Sequence, residues 1–175
     1  RRGPTGGLYP ADVAMKLSRI IENCDVLAHR GDLDVEIGDI FYDSRAVAAG
    51  GLFVAIKGLV ADGHRYVGSA VENGAAAVVV QEDMDVPGAV VVRVADSRAA
   101  LGRLADAFFG SPSMKLKLAG VTGTNGKTTI CYIMEQILKA AGKRPGVIGT
   151  INYRYGDTSI TPPNTTPESL DLVRL

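Results

Sequence analysis

The ten residues GVTGTNGKTT, 120–129, constrain this chain more than any other stretch. An apolar segment, KLKLAGV, precedes them and predicts a strand. A helical period follows, with Ile130, Ile133, Met134, Ile137 and Leu138 on one face and a stop at Gly142. Strand, glycine-rich turn and helix start form a setting that binds phosphate. Glycines let the backbone turn its N–H groups toward oxygens. The helix start adds unpaired donors and the positive end of the dipole. Lys127 can reach the β- and γ-phosphates, and the Thr128 hydroxyl can bind Mg²⁺. Yet the common template, G-x-x-x-x-G-K-[ST], puts its first glycine at 121. That position is Val121, and the glycines are Gly120 and Gly123.

The rest of the chain alternates strands and helices. Val13, Leu17, Ile20 and Ile21 predict an amphipathic helix over 11–24. DVEIGDIFYDSR (34–45) reads as extended, and GLFVAI (51–56) as a buried strand. Tyr66, Val67, Ala70 and Val71 stripe a helix over 64–74 that stops at Gly74. AAAVVV (75–80) and AVVVRV (89–94) are β-branched runs of the kind covered on both faces of a sheet. Asp96 or Ser97 caps a helix carrying Leu101, Leu104, Ala105 and Phe108 and closed by Gly110. GSPS (110–113) marks the boundary between a domain of residues 1–112 and a second of 113–175, and PGVIGTINY (145–153) reads as the strand after the loop helix. The pattern predicts an α/β fold with mainly parallel sheets.

Composition narrows the function classes. A length of 175 residues allows one large domain or two small ones, and 46% hydrophobic content supplies a core. Zero net charge points to neither nucleic acid nor a membrane surface as partner. Two cysteines, Cys24 and Cys131, lack metal or redox spacing, so both read as free thiols of a reducing, cytoplasmic setting. No apolar run approaches the roughly 20 residues of a membrane helix. The opening RRGPTGGLYP lacks the apolar core of a signal peptide and reads as a lead-in. PESLDLVRL begins an amphipathic helix with no stop signal, as a truncated chain would.

The loop resembles the ATP loop of the Mur ligases and their relatives, the folylpolyglutamate synthases included. There G-T-[NK]-G-K-[ST] replaces the strict spacing. The resemblance implies an ATP-binding α/β domain and amide-bond formation through an acyl phosphate. It assigns ATP to Gly123, Thr124, Asn125, Gly126, Lys127, Thr128 and Thr129, with Thr128 on Mg²⁺. Residues 42–80, YDSRAVAAGGLFVAIKGLVADGHRYVGSAVENGAAAVVV, are similar to the N-terminal, UDP-binding domain of Mur ligases acting on UDP-MurNAc peptides. Tyr42 and Ser44 would face the uridine nucleotide, and Leu59, Val60 and Ala61 would form its second contact loop. A polar pair is frequent there; Leu-Val leaves backbone contacts from those two. NTTPESLDL (164–172) resembles the family type that adds the third residue of the peptide. Asn164, Thr165 and Thr166 would contact UDP-MurNAc-L-Ala-D-Glu. Ile130 stands where a third Thr is common.

The resemblance covers about residues 11–175. It implies ATP-dependent addition of a diamino acid, meso-diaminopimelate or L-lysine, to the D-Glu carboxylate of UDP-MurNAc-L-Ala-D-Glu. The family's catalytic acidic residue, its modified lysine and its C-terminal domain have no counterpart here. No catalytic residue is therefore assigned, and the chain reads as a fragment that does not turn over. The intact enzyme is expected to be a monomer, while exposed strand edges in the fragment could pair between chains. Arg45 reads as an ion-pair partner, His64 as a cap or packing residue, and Lys57 as solvated. Two alternatives stay open: a ligase adding D-Ala-D-Ala, and a non-catalytic nucleotide-binding module. Folate ligases lack a domain like YDSR…LFVA ahead of the loop.

Overall fold

The structure is a computed structural model that describes residues 14–58, 61–161 and 166–175. The described chain divides into two compact units: residues up to Lys115 together with Ser169–Leu175, and Leu116–Glu168.

The first unit is built on a five-stranded sheet. Its strands are β2 (Val26–Arg30), β4 (Asp39–Phe41), β5 (Gly51–Val54), β6 (Ala75–Val80) and β7 (Val90–Val94), in the order β2-β7-β6-β5-β4. Strands β4 to β7 pair parallel, and β2 closes one edge antiparallel to β7. A short pair, β1 (Met15–Lys16) with β3 (Glu36–Ile37), lies apart from it.

The β-branched runs are buried on both faces because successive side chains point to opposite sides. Leu52, Val54, Ala77, Val79 and Val92 enter one cluster with Leu101, Leu104 and Phe108 of α3 (Ser97–Phe108) and Leu17 and Ile20 of α1 (Leu17–Ile20). Phe53, Ala55, Val78, Val80 and Val91 enter another with Val67 and Ala70 of α2 (Val67–Glu72). Each such Val, Leu, Ile or Phe side chain contributes about 1.5–3 kcal/mol by leaving water. Asp96 caps α3 by accepting from the backbone N–H groups of Arg98 and Ala99, while Ser97 turns inward. The last helix, α5 (Ser169–Arg174), belongs to this unit and buries Leu170 in the first cluster.

The second unit holds α4 (Lys127–Ala140) and a three-stranded antiparallel sheet of β8 (Gly146–Ile148), β9 (Tyr153–Tyr155) and β10 (Thr158–Ile160). It departs from expectation in three ways. The strand predicted over KLKLAGV is absent; 112–115 form a 3₁₀ turn and 116–122 are irregular. The strand predicted over 145–153 stops at Ile148, turns, and returns as β9. A strand before the loop needs neighbours for its backbone groups. Here β8 pairs with β9 across a short turn, because a local hairpin closes at lower entropic cost than a crossover pairing. The stripe of α4 consequently lies open: Ile133 is 54% and Ile137 62% exposed, and the residue of α4 that is buried is Glu135.

The first helix is also shorter than predicted. Over 14–24 only Leu17–Ile20 are α-helical, because Met15 and Lys16 pair with β3 before the helix starts. Val13 lies outside the described residues. No helix among the described residues is long and apolar enough to cross a membrane.

Candidate nucleotide and substrate sites

In the second unit the glycine loop enters α4 through Gly126, whose φ of +78° is the left-handed conformation that glycine adopts without penalty. Gly126 sits at the N-cap, and no side chain caps the helix. The first-turn N–H groups therefore face outward with no capping oxygen. Lys127 folds back over the loop: its ammonium donates to the Gly123 carbonyl and, at 3.2 Å, to that of Thr124. Gly123, Thr124, Asn125 and Thr129 are exposed around it. The Lys127 ammonium, the Thr128 hydroxyl and the uncapped N–H groups stand together at the start of α4, donors of the kind that suit an anion.

Lys127 and Thr128 line a cavity of about 300 Å³. Cys131 and Tyr132 continue the same wall along α4, residues of 147–154 form a second, and Thr166 and Pro167 a third. Side chains that follow the glycine loop and the first described residue of the Thr-Thr-Pro segment thus share one cavity. Asn164 and Thr165 lie outside the described residues.

A charged cluster that the sequence reading missed fixes two of these walls. The Arg154 guanidinium on β9 donates to Glu135 of α4 and to Asn152, and lies 4.0 Å from the centroid of the Tyr132 ring. Lys139 reaches the other Glu135 oxygen at 2.9 Å. The hydrogen bond from Arg154, then that from Lys139, holds the Glu135 carboxyl below its ordinary value. Glu135 and Lys139 at i, i+4 were visible as a helix pair. The partner on β9 could not be, because the hairpin that carries it was not predicted.

In the first unit the expected uridine-facing residues follow the carboxyl ends of adjacent parallel strands, where such sheets bind ligands. Tyr42 and Ser44 follow β4, and Ala61 lies on the connection after β5. Ser44 is buried and opens a 3₁₀ turn (Ser44–Ala46), and its carbonyl accepts from the Asn73 amide at 3.0 Å. Tyr42 donates through its hydroxyl to Asp171 of α5 at 2.6 Å. Ala61 accepts the Gly58 N–H at 2.9 Å; Leu59 and Val60 lie outside the described residues.

Arg45 forms a two-pronged pair with Asp43, at 2.9 and 2.7 Å, and that pairing holds the Asp43 carboxyl low. His64 is buried, and Asp62 caps the 3₁₀ turn that contains it. Lys57 is exposed yet pairs with Glu82 at 3.1 Å, so it is not simply solvated. Both cysteines are free, and burial pushes the Cys24 thiol up.

Comparison with known proteins places this arrangement in a class. A profile described as the catalytic domain of the Mur ligase family matches residues 36–109, and the Mur ligase middle domain matches 121–175. The chain belongs to the Mur ligase family, whose members are ATP-dependent ligases.

The UDP-N-acetylmuramoyl-L-alanyl-D-glutamate–2,6-diaminopimelate ligase of Clostridioides difficile is 44% identical over 158 residues, 90% of this chain and 33% of that protein. The ligase of the same name from Geobacter sulfurreducens is 45% identical over 159 residues, 90% of this chain and 31% of that protein. The crystal structure of MurF ligase from Thermotoga maritima in complex with ADP is 29% identical with a TM-score of 0.52. It aligns with 77% of this chain and 28% of its own. The chain thus spans about a third of the length of the curated relatives it matches.

Proposed function

We propose that this chain carries the uridine-nucleotide domain and the ATP loop of a ligase that joins a diamino acid to UDP-MurNAc-L-Ala-D-Glu. The observation that carries this reading is the cavity shared by Lys127, Thr128 and Thr166. It brings the loop suited to phosphate next to the segment expected to meet the peptide carboxylate. The names of the 44–45% identical relatives support the diaminopimelate-adding type over the D-Ala-D-Ala-adding one.

In this reading residues 1–112 bind the uridine end through Tyr42, Ser44 and the 59–61 loop, and 113–175 carry the ATP site. Asn164, Thr165 and Thr166 contact the dipeptide. ATP supplies the phosphoryl group that activates the D-Glu side-chain carboxylate, and the incoming amine then displaces phosphate to form the amide. Lys127 and the loop N–H groups hold the negative oxygens in place, and Thr128 offers its hydroxyl to Mg²⁺. Anchoring the uridine far from the reacting carboxylate contributes binding and orientation rather than proton chemistry. The setting is the cytoplasm, where ATP and the uridine nucleotide are made.

Calorimetric titration with UDP tests the first half of this reading. The chain binds UDP, and Ser44→Ala weakens that binding about tenfold, a loss of one hydrogen-bonded contact. ATP binding with no preference for a uridine nucleotide would support the bare nucleotide module instead.

A further inference from the structure

After β5 the chain makes a narrow stem. The Gly63 N–H donates to the Ile56 carbonyl at 2.9 Å, Lys57 bridges Asp62 in antiparallel fashion, and the Gly58 N–H donates to Ala61. A Cβ at Gly63 would lie 2.7 Å from the Ile56 nitrogen, so the stem closes only on glycine. Immediately beyond it stands His64, with 6% of its surface exposed.

Both ring nitrogens of His64 are engaged. Nδ1 lies 2.6 Å from Asp62 Oδ1, and Nε2 accepts the backbone N–H of Gln81 at 2.9 Å. An N–H donor meets a bare ring nitrogen, so the Gln81 contact fits the tautomer that carries its proton on Nδ1, toward Asp62. Gln81 stands at the carboxyl end of β6, and its amide donates to the Ala95 carbonyl beyond β7 at 3.1 Å. Its Oε1 is 3.0 Å from the Ser97 hydroxyl, which donates to the Ala55 carbonyl beyond β5 at 2.6 Å. The stem is thereby tied to the ends of three adjacent strands.

Asp62, His64 and Glu82 offer ligand atoms within 4.8 Å of one another, the spacing of a cation site. With both imidazole nitrogens used and the Lys57 ammonium 3.1 Å from Glu82, the cluster is an internal ion pair and hydrogen-bond set.

We propose that His64 is a positioning residue for the uridine nucleotide: it pins the stem bearing Ala61 to the carboxyl end of β6, so that the Ala61 backbone is fixed where the nucleotide binds. The proposal rests on the uridine-binding reading above.

Two measurements test it. Long-range ¹H–¹⁵N spectra of the 175-residue chain report the ring directly. A protonated Nδ1 and a bare Nε2 at neutral pH are expected, and a protonated Nε2 overturns the pin whatever the ligand. UDP titration reads its consequence. His64→Ala weakens UDP about tenfold. His64→Gln, whose amide oxygen reaches the Nε2 position, recovers most of that loss and decides the matter if the alanine variant fails to fold. A folded His64→Ala chain with parental UDP affinity, beside a weakened Ser44→Ala chain, overturns this inference and leaves the uridine reading standing. Absence of UDP binding in the parent chain overturns both.

Discussion

Glu135 of α4 and Arg154 of β9 are paired inside the second unit, with side chains 5% and 16% exposed. The pair joins the helix that begins at Lys127 to the hairpin that leads on to Thr166. It is a strongly polar contact between α4 and the strands, and it stands where an apolar stripe was expected to pack. Buried pairs of this kind add little net stability when complete and cost much when half is removed. Arg154→Ala should therefore be more harmful than an exposed substitution. The Lys139 side of Glu135 is open to solvent, so the expected loss is ~1 kcal/mol rather than the full buried penalty. Glu135→Gln/Arg154→Ala should recover part of it, and urea unfolding of the second unit measures both.

Acid should loosen the same contact. Glu135 has a folded-state value held below its ordinary 4.5 by Arg154 and then Lys139. A depressed carboxyl stabilises the fold above its unfolded value and loses that contribution as the pH falls through the folded one. The second unit should keep this contribution down to about pH 4.5 and lose it below. Glu135→Gln should flatten that part of the curve, with hydrogen exchange along α4 as the readout.

The glycine loop before α4 makes a sharper prediction. Lys127→Ala removes the ammonium that now bonds the Gly123 and Thr124 carbonyls, leaving those carbonyls to water. ATP affinity should fall at least about tenfold. Thr128→Ala should leave Mg²⁺-free ATP binding nearly unchanged while abolishing the gain on adding Mg²⁺. Fluorescent nucleotide titrations with and without the ion separate the two.

The first unit should fold on its own core. Leu101 is fully buried between α3 and the sheet, so Leu101→Ala should cost about 2–5 kcal/mol. Asp96→Ala removes the cap that takes two N–H groups of α3 and should cost about 1 kcal/mol. Denaturant midpoints compare them.

Where the sequence carried its own local signal, the fold was legible. The runs at 51–56, 75–80 and 89–94 announced three adjacent parallel strands because both faces of each are buried. Asp96 or Ser97 announced a helix start, and Asp96 is the cap because its side chain reaches two free N–H groups. The edge strand β2 was missed because VLAHR buries no side chain fully and shows no clean alternation. The second unit was misjudged for a physical reason. Its predicted strands presuppose parallel neighbours, and β8, β9 and β10 pair locally instead. The site followed the same rule. Loop residues 123–129 stand out in the sequence because glycine, lysine and threonine cluster ahead of a helical period, and they enter α4 at Gly126. Arg154 and the His64 pin were not, because their importance lies in partners 19 and 17 residues away.

The most direct test of the whole account is calorimetric titration of the chain with UDP-MurNAc-L-Ala-D-Glu beside UDP alone. The dipeptide-bearing nucleotide should bind more tightly than UDP, Ser44→Ala should weaken both, and Thr166→Ala should weaken only the former. Equal affinity for the two ligands, unmoved by Thr166→Ala, would contradict it.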